Sequence, residues 1–398
     1  MDYRRLHEAS LGGKRVILRA GFDLPMEDGR VLDRTRVEAL LPTMRAILDG
    51  GASLVVICHQ GRPKDGPDPQ LSQRPIADVL AAMLGRAVQF SPFCIGPEVT
   101  AQAKALKPGE VLLTENLRFH RGEKKNDPAF AKVLANLGDV YVNDAFANSH
   151  RPHASMVALA QLLPSYMGLQ LEREIAHLSP IIDDPRRPLT LIVGGAKMET
   201  KVPVIERFLR TGDDVLVGGA VANTFAAARG FDIGSSRYEE EQVECARELM
   251  LESEKDDRAK LHVPRDVVAA TEAKDDAECI DVPLEDIEGD MRIFDVGAVT
   301  TQRFTEIIQR SGMIVWNGPL GFYEHACFAK ATLAVAKAVI EATTHGAVSI
   351  IGGGDTIDAH IRYAVPLDGY TFVSTGGGAM LEFVSGKPLP ALEVLRTS

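Results

Sequence analysis

Nine apolar, β-branched runs punctuate the chain, each closed by a small or glycine-rich turn and followed by apolar positions at helical spacing. Before residue 150 stand RVILRAGFD, SLVVICHQGR, VLLTENLRF and DVYVNDAFA; after residue 188 stand LTLIVGGAK, DVLVGGAVA, MIVWNGPLG, AVSIIGGGDT and TFVSTGGGA. Runs without polar alternation predict strands buried on both faces, as in parallel sheets covered by helices. The expected fold class is α/β: two doubly wound, Rossmann-like parallel-sheet domains joined by an interdomain helix and hinge.

The two sets of strands are separated by PSYMGLQLEREIAHLSPIIDDPRRP, a helical pattern that ends in a Pro- and Asp-rich linker. This predicts a first domain over 1–170, a helix and linker over 171–185, a second domain over 186–378 and a terminal segment over 379–398. A chain of 398 residues exceeds what one core usually supports, which agrees with two domains. No run reaches the length of a membrane span and the amino-terminal stretch lacks a secretory apolar core, so a cytoplasmic protein is expected, with no membrane partner. The five cysteines are far apart and form no CxxC pair, the pattern of reduced thiols.

The net charge of −11 argues against a nucleic-acid partner, but it is unevenly spread. Residues 1–170 hold 21 Lys and Arg against 18 Asp and Glu; the remainder holds 23 against 37. An anionic ligand is therefore drawn to the first half.

In open α/β sheets, ligands bind in the turns beyond the carboxyl ends of the strands. In the second half those turns carry Gly194-Gly195, Gly218-Gly219, Gly352-Gly353-Gly354 and Gly376-Gly377-Gly378. Singly, each doublet reads as tight strand-to-helix packing; together they predict backbone amides presented to phosphates at helix starts. Neither a P-loop nor a dinucleotide fingerprint is present, which weighs against a dehydrogenase. Lys197 and Lys201, four apart on an expected helix start, suit neutralisation of phosphate oxygens, and Asp355 with Thr356 reads either as a helix cap or as a holder of phosphate-bound magnesium. In the first half, Arg36, His59 with Arg62, Arg118, and His150 with Arg151 and His153 gather at the corresponding turns. Arginines in that number predict recognition of a small, multiply anionic metabolite.

The segments DRTRVEALLPT, HQGRPK, LLTENLRFHRGEKKND, NDAFANSHRPHAS, GGAKMETKV, WNGPLGFYE, GGGDT and STGGGAMLEF, in this order from end to end, resemble the phosphoglycerate kinase family. The resemblance implies reversible transfer of the acyl phosphate of 1,3-bisphosphoglycerate to Mg-ADP, giving 3-phosphoglycerate and ATP. It also implies a monomer whose two domains close over the substrates and whose terminal segment returns to the first domain. By position, Gly21, Phe22, Asp23, Arg36, His59, Gln60, Gly61, Arg62, Arg118, His150 and Arg151 would bind phosphoglycerate. Lys197, Lys201, Gly218, Gly219, Asn317, Glu324, Gly353, Gly354, Asp355 and Thr356 would bind ADP or ATP, with Asp355 holding Mg. Arg36, Lys197, Lys201, Gly376 and Gly377 would act on the transferring phosphoryl group.

One stretch departs from the family's R-V-D-F-N-x-P: RAGFDLP places Gly21 and Asp23 where Asp and Asn usually stand. The carboxylate moves by two residues, which predicts an altered phosphoglycerate affinity. It also motivates a rival reading, a weakened relative that binds nucleotide as a regulatory protein.

Overall fold

The computed structural model describes residues 3–64 and 66–397. Met1, Asp2, Asp65 and Ser398, which fall within the expected first and last segments, lie outside the described residues. The chain divides into two compact units: one runs to Ala176 and resumes at Pro388, and the other spans His177–Lys387.

The first unit is built on a six-stranded parallel sheet. In chain order its strands are β1 (Arg15–Ala20), β2 (Ser53–Ile57), β3 (Val88–Phe90), β4 (Val111–Leu113), β5 (Val140–Asp144) and β6 (Ser165–Met167). They lie in the spatial order β3-β4-β2-β1-β5-β6. Strand β1 pairs on both sides, Ile17 with Val55 and with Tyr141, so its side chains are buried above and below the sheet. Leu18 and Val16 join the core beneath helix α1 (Thr35–Asp49), and Ile17 joins the opposite core. The order reverses between β1 and β5, so the turns after Ala20 and Asp144 part around a crevice.

The chain end belongs to this unit. Leu389, Leu392 and Leu395 are buried, Ala391 packs with Ala145 and Met156, and the Ala391 amide donates to Ser149 O at 3.2 Å. A segment that buries three leucines stabilises the unit by several kcal/mol at roughly 1.5–3 kcal/mol for each side chain removed from water.

The second unit repeats the plan with a different strand order. Its strands β7 (Leu189–Val193), β8 (Asp214–Val217), β9 (Lys260–His262), β13 (Met313–Asn317), β14 (Val348–Gly352) and β15 (Phe372–Ser374) run β9-β8-β7-β13-β14-β15, all parallel. Between β9 and β13 the chain adds a three-stranded antiparallel sheet of β10 (Asp266–Ala270), β11 (Ile280–Pro283) and β12 (Arg292–Val296). The order reverses between β7 and β13, where LIVGGAK and WNGPLG end.

The sequence pattern predicts nine strands and, among the described residues, leaves out three edge strands of the main sheets, the three-stranded antiparallel sheet and a short pairing of Met26–Glu27 with Arg30–Val31. Strands β3 (VQF), β6 (SYM) and β9 (KLH) lack the consecutive aliphatic residues of the equally short β4 (VLL), and β11 is mostly exposed. The segment read as the start of the interdomain helix contains β6 first; helix α2 then runs Leu169–Asp183. Among the described residues no helix is long and apolar enough to cross a membrane.

Candidate active site

In the first unit the turn after β1 carries the altered GFD. Phe22 is fully buried in the core, so it offers only its backbone. Asp23 adopts a left-handed backbone, φ 48°, which turns its carboxylate toward the next strand end. There Oδ1 accepts from the Gly61 amide at 2.7 Å, and Oδ2 lies 3.5 Å from His59 Nε2. Burial opposes the Asp23 charge, but the His59 contact and the Gly61 amide outweigh it and hold the carboxyl well below its ordinary range.

Arg36 stands in the first turn of α1 and reaches back to this turn, donating through one terminal nitrogen to Phe22 O at 2.9 Å and Asp23 O at 2.7 Å. The two carbonyls orient the guanidinium before any ligand arrives. Gln60 is buried and spends both ends of its amide on the Leu24 backbone, so it ties two turns together. Arg118, after β4, donates to Gly61 O at 2.7 Å, while its buried Nε has no hydrogen-bond partner. Burial and the neighbouring Arg19 lower Arg118 to about 10. Arg151 and Arg62 are exposed on their turns, and Gly21 is half-buried beside the β5 turn.

The histidines are held neutral. His59 is buried and pushed down to about 4 by burial and by Arg19 and Arg118, against the pull of Asp23. His150 is pushed down to about 4 by burial and Arg151. His153 falls to about 3 by burial, with Arg118, Arg19 and Arg151 adding to the effect. Burial is the first cause in all three, and the neighbouring arginines add to it.

This yields a stability expectation. A histidine depressed on folding takes up a proton on unfolding between its folded value and about 6.5, so stability falls as pH falls through that window. Each of the three contributes on the order of 1–3 kcal/mol by pH 4, least for the half-exposed His150. Asp144, raised to about 7 by burial, acts in the opposite sense over part of the range. Urea unfolding of the full chain at pH 7.5 and 4.5 is expected to show the loss. The same comparison with His59, His153 and His150 all changed to Gln is expected to flatten it; an unchanged slope in that triple variant would show that other groups control acid stability.

In the second unit, the sequence-based expectation of Lys197 and Lys201 on a helix start needs correction. Helix α3 (Val202–Thr211) begins only after both; Lys201 is its cap residue, and Lys197 stands exposed in the preceding loop. The pair therefore has two environments. The Lys201 ammonium is buried and donates to Asn317 Oδ1, while Asn317 Nδ2 donates to Gly352 O at 2.9 Å. Burial lowers Lys201 to about 8, with Asp355 opposing the shift.

The glycine turns do different work. Gly353 has φ 105°, and a Cβ there would crowd Asn317 and Thr356, whereas Gly354, the first residue of helix α4 (Gly354–Arg362), faces open space. Gly377, at the start of α5 (Gly377–Val384), lies against the Gly353 backbone, and the Gly376 amide donates to Ser374 Oγ at 3.2 Å. Thr356 is buried, its hydroxyl accepting from the Gly318 amide at 2.7 Å and donating to Gly352 O. Asp355 is exposed in the first turn of α4.

Beside these turns lies a cavity of about 620 Å³. Gly219, Asn223, Leu320, Phe322, Glu324 and Asp355 are among its walls, with Phe294 also facing it. It has the size and mostly apolar lining of a nucleoside-sized site. The sequence pattern marks Glu324 and the glycines but not Phe294, which lies within β12, or Phe322, because nothing local to either aromatic distinguishes a cavity wall from core. It also missed Arg19, although a charged residue inside the apolar run RVILRA was a visible anomaly.

Among the described residues no three His, Cys, Asp or Glu side chains could together hold a metal. A single exposed carboxylate at a helix start fits magnesium of the kind held mainly by phosphates and water.

The sequence model of the Phosphoglycerate kinase family matches residues 6–387. The curated Phosphoglycerate kinase of Methylorubrum extorquens (strain PA1) is 44% identical over 397 residues, 99% of each chain. That of Moorella thermoacetica (strain ATCC 39073 / JCM 9320) is 44% identical over 391 residues, 98% of each. The solved phosphoglycerate kinase from Coxiella burnetii matches with a TM-score of 0.87 at 35% identity, covering 99% of this chain and 98% of the other. The one from Pyrococcus horikoshii OT3 matches at 0.85 and 33%, covering 98% of each.

Proposed function

The chain belongs to the phosphoglycerate kinase family, phosphotransferases with a carboxyl acceptor, and from that premise we propose how its residues divide the reaction. The first unit receives 3-phosphoglycerate or 1,3-bisphosphoglycerate; the second receives ADP or ATP. The observation that carries this reading is the buried Lys201 ammonium at the strand reversal between β7 and β13, held by the neutral Asn317 amide. A buried cation with a neutral partner is costly alone and is completed by an arriving phosphate.

In the reaction toward ATP, a β-phosphate oxygen of ADP forms a new bond to phosphorus while the bond from that phosphorus to the acyl oxygen breaks, leaving a carboxylate. No proton is transferred. The protein's task is to orient both ligands and to neutralise charge spread over three equatorial oxygens. Arg36 and Lys201 aim fixed positive groups at the phosphoryl group, with Lys197 and the Gly376 and Gly377 amides supporting it. Arg62, Arg118, Arg151, His59 and His150 hold the glycerate portion. Asn317, Glu324, Gly218, Gly219 and the Gly353 to Thr356 turn hold the nucleotide. Asp355 would hold magnesium, which supplies charge neutralisation between phosphates when bound. The reading includes a cytoplasmic, monomeric enzyme. A coupled assay with 3-phosphoglycerate, ATP and magnesium tests it; absence of turnover with both ligands bound would favour the regulatory alternative, which none of the relatives supports.

Asp23 is the residue on which affinity turns. Its carboxylate faces the incoming anion, yet its structural task, accepting from Gly61, is one an asparagine also performs. Asp23→Asn is expected to lower KM for 3-phosphoglycerate about fivefold, equivalent to roughly 1 kcal/mol for a part-exposed charge pair. KM for ATP should stay unchanged, and the melting temperature should fall, because the Gly61 and His59 contacts favour the charged carboxyl in the fold. A higher KM would mean that the Asp23 carboxylate is itself a ligand for the substrate hydroxyl. Restoring the family's aspartate at position 21 is a less simple test, because a Cβ there would sit 3.1 Å from Ala145 Cα.

A further inference from the structure

Arg19 is a cation in the middle of a parallel sheet. It pairs in register with Ile57 on one side and Asn143 on the other, and it is fully buried. Its Nε donates to Ser155 Oγ at 3.0 Å, one terminal nitrogen donates to Ala20 O, and the other lies 3.0 Å from His59 Nδ1. Ser155 passes the contact on: its hydroxyl donates to Glu123 Oε1 at 2.6 Å, and its amide donates to Glu123 Oε2 at 2.9 Å. Glu123 is thus the buried counter-charge, one hydroxyl away.

A guanidinium can only donate. The Arg19 contact therefore requires a lone pair on His59 Nδ1 and places the ring proton on Nε2. A second ring proton would set one N–H against another inside the sheet. His59 Nε2 makes no hydrogen bond within the protein and lies 3.5 Å from the Asp23 carboxylate, beyond good hydrogen-bond length. The ring so held is a neutral, single-donor group whose buried Nε2–H lies on the side of the Asp23 carboxylate, in the turn after β1.

We propose that Arg19 is a positioning residue that fixes His59 as its Nε2–H tautomer, so that the ring keeps a single N–H donor on the Asp23 side for an anionic group of the bound phosphoglycerate. The proposal rests on the reading that the first unit receives that substrate. The charged and titratable groups that face His59 are Arg19 from β1, Asp23 from the turn after it, Arg118 from the turn after β4, and His153. Three of these are cationic or neutral and one is a carboxylate. Without Arg19, Asp23 is the group that would draw a second proton onto the ring.

Nitrogen-15 NMR of histidine-labelled full-length protein reads the device directly, without substrate. A pyridine-type Nδ1 and a pyrrole-type Nε2 signal for His59, identified by their loss in His59→Gln, are expected to persist from pH 8 to pH 5. An imidazolium or an Nδ1–H tautomer in that range would overturn the proposal whatever the enzyme's activity. Arg19→Met is expected to raise KM for 3-phosphoglycerate about tenfold, as loss of one oriented hydrogen bond would. It should also move any His59 titration in that KM to higher pH than in the unaltered protein, because one group that disfavours the imidazolium is gone while burial and Arg118 remain. KM for ATP should be unchanged, and the shifted titration should vanish in Arg19→Met with His59→Gln. A pH profile of Arg19→Met parallel to that of the unaltered protein would assign Arg19 a merely structural role. Should Arg19→Met fail to fold, the NMR measurement on the unaltered protein still decides. If the unaltered protein fails to bind 3-phosphoglycerate while His59 shows the expected tautomer, the substrate reading fails and the positioning role stands.

Discussion

Replacing Arg36 by alanine is expected to lower kcat by about two to three orders of magnitude while KM for either substrate changes no more than a few fold. The guanidinium is held by two carbonyls through one terminal nitrogen, which leaves Nε and the second terminal nitrogen outside those bonds. Such an arm is organised before the ligand arrives and gains most when charge spreads in the transition state. Equal falls in kcat and kcat/KM are the signature of an interaction made only there. Lys201→Met should behave alike, because the buried ammonium gains a partner as the phosphoryl group moves. Steady-state kinetics with both substrates varied decides the matter. A variant that raises KM with normal kcat would make Arg36 a ground-state anchor.

The second large effect is expected from a single methyl group. Around the strand reversal of the second unit, backbones rather than side chains touch. Gly194 N donates to Asn317 O at 3.1 Å, Gly195 N to Pro319 O at 2.8 Å and Gly219 N to Leu320 O at 2.7 Å. A Cβ on Gly194 would fall well inside the Pro319 carbonyl group, and one on Gly219 would lie 2.7 Å from Gly195 N. Gly194→Ala must therefore push β7 and β13 apart where Lys201 and Asn317 meet. We expect a loss of about 3 kcal/mol or more, read as a fall in melting temperature of about 6–12 °C, together with loss of measurable ADP binding. Gly354→Ala is the control, since a Cβ there meets open space. It should melt within about 2 °C of the unaltered protein, as surface changes away from such features do. Calorimetric melting and titration with ADP and magnesium check both. A Gly194→Ala protein with unaltered melting and affinity would show that these turns have slack.

Much of this site was legible in the sequence because an open α/β sheet places its chemistry at strand ends, and strand ends are marked by small residues after apolar runs. The turns of Gly21, His59, Arg118 and His150, and those of Gly194, Asn317, Gly353 and Gly377, were all found from that rule. What a residue does within its turn was less legible. Gln60 and Thr356 stand in ligand-facing motifs, yet their polar atoms bind neighbouring turns. Lys197 and Lys201 stand in one motif and differ in burial from exposed to nearly complete.

The sequence by itself determined the fold class, the family and the addresses of the strand-end turns, because apolar runs, glycine turns and the order of motifs are local properties of the chain. Only the tertiary structure decided the roles within those turns, since these depend on contacts between strands far apart in sequence. Arg19 reaches His59 across 40 positions and Ser155 across 136, and Lys201 reaches Asn317 across 116. Periodicity carries no information at such separations. Protonation, tautomer and the room for a Cβ are set by what the sheet brings alongside.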